Sequence, residues 1–255
     1  MGLLDWFQPK LECPVGPATR EWIDERWLWL EQEFGVERVR NATIVLPQAE
    51  FFPDPYHSTE SDARRLLDRV CGYMGIEPDR IKMSLYDESD PLARNPNLAG
   101  QMQQGTAGLY HREGRHFRIW VEVANLHDPL AMVATMAHEL GHVHLLGHAR
   151  ISRKAEDHEP LTDLLTVFLG LGIFTANSVI REQSWFDGNY SGWKIGRRGY
   201  LGMPEYGYAF ARFARCRAEE APPWASELRL DVRSAFKQAM RFLAAQDASE
   251  RSAIA

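Results

Sequence analysis

Cysteine is scarce and scattered. Cys13, Cys71 and Cys216 are the only three in 255 residues, and no C-x-x-C pair exists, so the chain carries neither a disulfide framework nor a cysteine zinc ribbon. An excess of one charge is missing as well. The 29 basic residues face 35 acidic ones, a net of -6 without blocks of like charge, which gives no footing to nucleic acid or to an anionic membrane surface. The one apolar run of membrane length, residues 161–180, is interrupted by Thr162, Asp163, Thr166 and Asn177, and it reads as a buried core helix. The opening MGLLDWFQPKLECP has no basic region ahead of an apolar run, and acidic residues come early. These absences set the expectation of a reduced, cytoplasmic protein with no nucleic-acid or membrane partner. No internal repeat is visible, and 45% hydrophobic with 25% charged residues is ordinary globular composition.

What the chain does have is AMVATMAHELGHVHLLG, residues 131–147, containing His138-Glu139-Leu140-Gly141-His142. Asp128-Pro129 ahead of it reads as an N-cap followed by proline in the first turn, and no proline interrupts the run that follows. On a helix, positions i and i+4 share a face, so His138 and His142 can offer two imidazole nitrogens to one metal ion. Glu139 can then reach a water in the ion's open position as general base. Burying two imidazoles and a carboxylate in an apolar helix without partners costs several kcal/mol, and a metal removes that cost.

A catalytic zinc usually has three protein ligands, so one more is needed. Glu159 opens a second helix and is one candidate. Asp163, one turn further on the same face, can accept the free N–H of a ligand histidine. His148 is the alternative third ligand, six residues after His142 as in H-E-x-x-H-x-x-G-x-x-H, but the glycine that pattern needs is Leu145 here. Glu156, Asp157, His158 and Asp163 are further alternatives. His144, two residues from His142, is about 200° around the helix and faces away, as a surface or core-edge histidine.

Around the motif the pattern is mixed. Residues 19–34 read as an amphipathic helix capped by Thr19 and stopped by Gly35, residues 42–46 as a short strand, and residues 61–75 as a second helix. A strand at 81–86 precedes a polar loop at 87–105. Residues 107–123 have the form of a β-hairpin, in whose second arm Phe117, Ile119, Val121 and Val123 alternate with polar or amphipathic residues. If that arm is a sheet edge beside the motif helix, an extended peptide can pair with it. A helix from Glu159 to about Asn177, an irregular loop at 181–203, and helices at 206–219 and 225–246 complete the chain. The expected fold is α+β: a small sheet with a β-hairpin packed on an active-site helix and a glutamate helix, with additional helices at both ends. Residues 1–105, 106–180 and 181–255 form an N-terminal α/β region, a core and a C-terminal helical region of one compact unit.

The sequence resembles the gluzincin metallopeptidases through His138-Glu139-x-x-His142 followed by Glu159-x-x-x-Asp163, and within that clan it is similar to the small ImmA/IrrE-type minimal gluzincins over residues 107–177. The resemblance implies zinc held by His138, His142 and Glu159, Asp163 supporting a ligand histidine, Glu139 as the catalytic base, and a peptide or protein as substrate. Oxyanion donors are open among Tyr200, Tyr206, Tyr208, Arg197 and Arg198. The alternative reading keeps the metal in a regulatory or partner-binding protein with little or no general proteolytic activity.

Overall fold

A computed structural model of the chain describes residues 11–87, 108–184 and 200–254. The first helix, α1 (Pro17–Phe34), starts two residues earlier than expected, because Gly16 is the N-cap and Pro17 brings a φ already suited to the first turn. It buries Ile23, Trp27 and Leu30 and stops at Gly35, whose φ is 86°. The short α2 (Val36–Arg40) follows.

The strand expected at 42–46 does not form. This segment is irregular and crosses the end of a helix, where Val45 N–H bonds the Gly170 carbonyl at 3.0 Å. Its β-branched residues favour extended backbone but pair with no strand among the described residues. α3 (Glu60–Met74) is fixed at its start by reciprocal bonds between Thr59 and Asp62 and ends at the left-handed Gly75.

β1 (Ile81–Tyr86), β2 (Gly108–Glu113) and β3 (His116–Glu122) form a sheet in the order β1-β3-β2. β1 runs parallel to β3 with Ile81 opposite Phe117, and β2 is antiparallel to it with Glu113 opposite His116. Phe117, Ile119 and Val121 are buried, as their alternation requires. The condition set for strand addition, that the second arm is a sheet edge, is not met by β3. β3 is the central strand, and β2 is the edge that lies against the motif helix.

That helix, α4 (Pro129–His142), begins where Asp128 Oδ1 accepts from Ala131 N–H at 3.1 Å. A π turn, Val143–Gly147, ends it. The single helix expected from Glu159 is two, α5 (His158–Phe168) and α6 (Gly172–Ser184). The break is at Gly170, where φ is 88° and an added Cβ would lie 2.2 Å from the Thr43 carbonyl oxygen. A close approach of distant backbone, unreadable in the local pattern, requires glycine there.

α7 (Met203–Cys216) and α8 (Leu230–Ile254) close the fold, the first starting earlier than expected with Pro204 in its first turn, the second running later. Of the two expected loops, residues 88–107 and 185–199 lie outside the described residues. One cluster of buried apolar side chains runs from Val15 to Leu243 and draws on all three expected regions. The architecture is α+β, mostly helical with a small sheet. No helix among the described residues is long and apolar enough to cross a membrane.

Candidate metal centre

α4 and α5 cross closely because Gly141 has no side chain: a Cβ there would meet Thr162 Cγ2 at 2.7 Å. This approach brings the residues of both helices together. His138 Nε2 lies 3.0 Å from Glu159 Oε2, and His142 Nε2 lies 3.3 Å from the same oxygen. One ligand atom from each of these three residues falls within 4.8 Å of the others.

The opposite nitrogen of each ring is tied off. His138 Nδ1 stands 2.9 Å from Asp163 Oδ1, and a carboxylate only accepts, so Nδ1 carries a proton and Nε2 is the nitrogen turned toward Glu159. Thr162 donates its hydroxyl proton to the His158 carbonyl at 2.7 Å, which leaves its oxygen to accept from His142 Nδ1 at 3.2 Å. His142 Nε2 is likewise the nitrogen turned toward Glu159. Without an ion, a ring nitrogen meets that carboxylate oxygen only by donating a proton to it, and a cation among the three atoms would take the place of such protons.

The charge balance agrees. Glu139 and Asp163 are buried and Glu159 is mostly so, which sets three carboxylates around two imidazoles. Burial opposes charge on His138, but hydrogen bonds to Asp163 and Glu159 outweigh it and hold its pKa well above the ordinary value. Burial likewise pushes Glu159 up, yet hydrogen bonds to His138 and His142 win and hold it far below the usual carboxylate range. The site is thus arranged to hold positive charge. Atoms sharing a tetrahedral zinc at about 2.0–2.1 Å stand roughly 3.3 Å apart, so the donor types and their spacing fit a divalent metal ion.

Glu139 is next to His138 in sequence and outside the three-residue cluster. It is 2% exposed, and its Oε2 has no hydrogen-bond partner among the described residues. Burial raises its pKa above the usual value, against the pull of the two imidazoles and with a small push from Glu159.

The other sequence-derived candidates fall elsewhere. Glu159 is in the first turn of α5, with Asp157 as the N-cap, so its carboxylate is not a backbone cap. His148 is outside the cluster, its ring edge-on to Phe117 at 5.7 Å. His158 is close, with its ring 5.8 Å from that of His142 and its Nδ1 3.4 Å from Glu159 Oε1. His144 faces away from the site as expected, but it is not a surface residue. It is buried, its Nε2 lies 3.0 Å from the Met74 carbonyl, and burial pushes its pKa down to about 4.

Of the residues considered for an oxyanion, Tyr200 alone among those described lies beside the cluster, with its ring 5.3 Å from that of His138. Tyr206 is buried, and Tyr208 gives its hydroxyl to Asp24 at 3.1 Å. Arg197 and Arg198 lie outside the described residues. Thr162 is the site residue that sequence reasoning missed. Its signal was its place three residues after Glu159, on the same face of the helix.

No protein-family model matches this chain, and neither a curated protein nor a solved structure does.

Proposed function

We propose that the protein is a zinc-dependent metallopeptidase of gluzincin type. The observation that carries the reading is the convergence of His138 Nε2 and His142 Nε2 on Glu159 Oε2, with both Nδ1 protons already assigned to Asp163 and Thr162. His138, His142 and Glu159 would hold the ion. Zinc so bound supplies Lewis acidity, lowering the pKa of a water in its open position and polarising a peptide carbonyl.

Glu139 Oε2 has the attributes of the base that takes the proton of that water. It is next to a ligand in sequence, buried, without a competing donor, and raised in pKa toward the working range. It can then return the proton to the leaving amine. Asp163 and Thr162 keep both rings in the tautomer that directs Nε2 inward. β2, paired on one side only among the described residues and lying against α4, offers an edge to which an extended peptide can add.

The substitution Glu139→Gln preserves size and hydrogen bonding but cannot accept the proton. Hydrolysis of unstructured peptides should fall by at least about a hundredfold while zinc content and fold are unchanged. Near-normal turnover would remove Glu139 from the mechanism. A wild-type chain that holds zinc and cleaves no peptide would favour a regulatory metal protein instead.

A further inference from the structure

Asp157 is the N-cap of α5, and a carboxylate at that position ordinarily accepts from a backbone N–H of the first turn. Here it makes no such bond. Its Oδ2 instead accepts from Trp22 Nε1 at 3.0 Å and from Arg26 at 2.7 Å (Nε) and 2.6 Å (Nη2), both residues of α1. Trp22 and Arg26 are four apart and share one helix face, so a single oxygen more than 130 residues away collects both. The Asp157 side chain is 22% exposed, and bonds of this kind to a charged, partly desolvated acceptor are among the stronger ones.

The other end of α5 is held by the same helix. Phe168 packs against Trp27, ring centroids 5.4 Å apart, and against Phe34 at 6.1 Å. α1 thus grips α5 at both its termini. Between the grips lie Glu159, Thr162 and Asp163, each of which reaches a histidine of α4.

We propose that the Trp22–Asp157–Arg26 clamp positions Glu159 for the metal, making α1 the scaffold of the third ligand; this rests on the metal reading above. Glu159 is in the first turn of a helix whose N-cap side chain leaves the first-turn N–H groups uncapped, and such turns fray. A ligand on a fraying turn must be ordered when the ion binds, and that entropy is lost from affinity. The clamp orders the turn beforehand. Asp157, Trp22 and Arg26 are positioning residues, since none of the three belongs to the ligand cluster.

The test compares two substitutions that each release α1 from one neighbour. Asp157→Asn weakens the clamp to α5, whereas Asp24→Asn weakens the contact of the same helix to Tyr208 and Arg212 of α7. Zinc affinity is read by chelator competition, and amide hydrogen exchange at residues 161–163 is followed in the metal-free protein. The clamp predicts about tenfold weaker zinc binding and faster exchange in Asp157→Asn, with neither change in Asp24→Asn. Unchanged zinc affinity in Asp157→Asn, or the same loss in both variants, overturns the positioning role. A wild-type chain that binds no zinc at all overturns the metal reading itself, which is a separate and recognisable outcome.

Discussion

The Asp163 carboxylate divides its oxygens between His138 and Leu201: Oδ1 is 2.9 Å from His138 Nδ1, and Oδ2 accepts from Leu201 N–H at 3.0 Å. One buried side chain therefore fixes the His138 ring and the backbone that leads into α7. An early-helix acid serving only the helix dipole would face solvent. Asp163 is 3% exposed.

Asp163→Ala should accordingly weaken zinc binding by about ten- to a hundred-fold, because His138 loses the acceptor that sets its tautomer. Chelator competition measures this, and thermal unfolding of the metal-free variant measures the fold separately. Unchanged zinc affinity with a slightly lower melting temperature would restrict Asp163 to a structural part.

Thr162 makes a sharper test, since its hydroxyl is the partner of His142 Nδ1 on α5. Thr162→Val keeps the shape and removes the acceptor, leaving the His142 Nδ1 proton buried and unpaired, at a cost of about 1–3 kcal/mol. Thr162→Ser keeps the hydroxyl and should bind zinc within a few-fold of wild type, whereas Thr162→Val should lose about tenfold. Equal affinity in the two variants would separate Thr162 from the site.

The close crossing of α4 and α5 gives a stability prediction. In Gly141→Ala the new Cβ meets Thr162 Cγ2, and the overpacking should destabilise the fold by about 1–3 kcal/mol. Thr162→Ser removes that Cγ2, so the double variant Gly141→Ala/Thr162→Ser should recover part of the loss in denaturant unfolding. Strict additivity would show that the strain lies elsewhere.

Far from the metal centre, Asp62 predicts an acid limb. Bonds from the Thr59 hydroxyl, the Thr59 N–H and the His57 N–H, joined by Arg65, hold its pKa at about 2, below the ordinary 3.8. A carboxylate with a depressed folded pKa adds stability that is present above its unfolded pKa and lost as pH falls through the folded one. In metal-free protein this contribution should fade between pH 3.8 and about 2, and Asp62→Asn should flatten that part of the curve of stability against pH. An acid limb of the same steepness in the variant would assign it to other groups.

The parts of the site that lie within one helix were legible in the sequence, because i, i+4 spacing alone puts His138 with His142 and Glu159 near Asp163. Motif chemistry also selected Glu139. Contacts between helices were not legible: Thr162 was visible only as a polar interruption of an apolar run, and nothing local ties Trp22 to Asp157 across 135 positions. The fold divides in the same way. β1, the hairpin and the start of α4 follow from alternation and capping, while the break at Gly170 and the missing strand at 42–46 share one cause, a backbone approach between distant segments. Strand order was not legible, because alternation identifies a buried face without revealing which edge is paired.

Zinc content of the purified protein tests the central claim most directly. After dialysis against metal-free buffer, the account predicts about one zinc per wild-type chain, a sharp fall in His138→Ala, His142→Ala and Glu159→Ala, and no fall in His148→Ala. Full zinc in Glu159→Ala together with its loss in His148→Ala, or a wild-type chain that takes up no zinc, would contradict it.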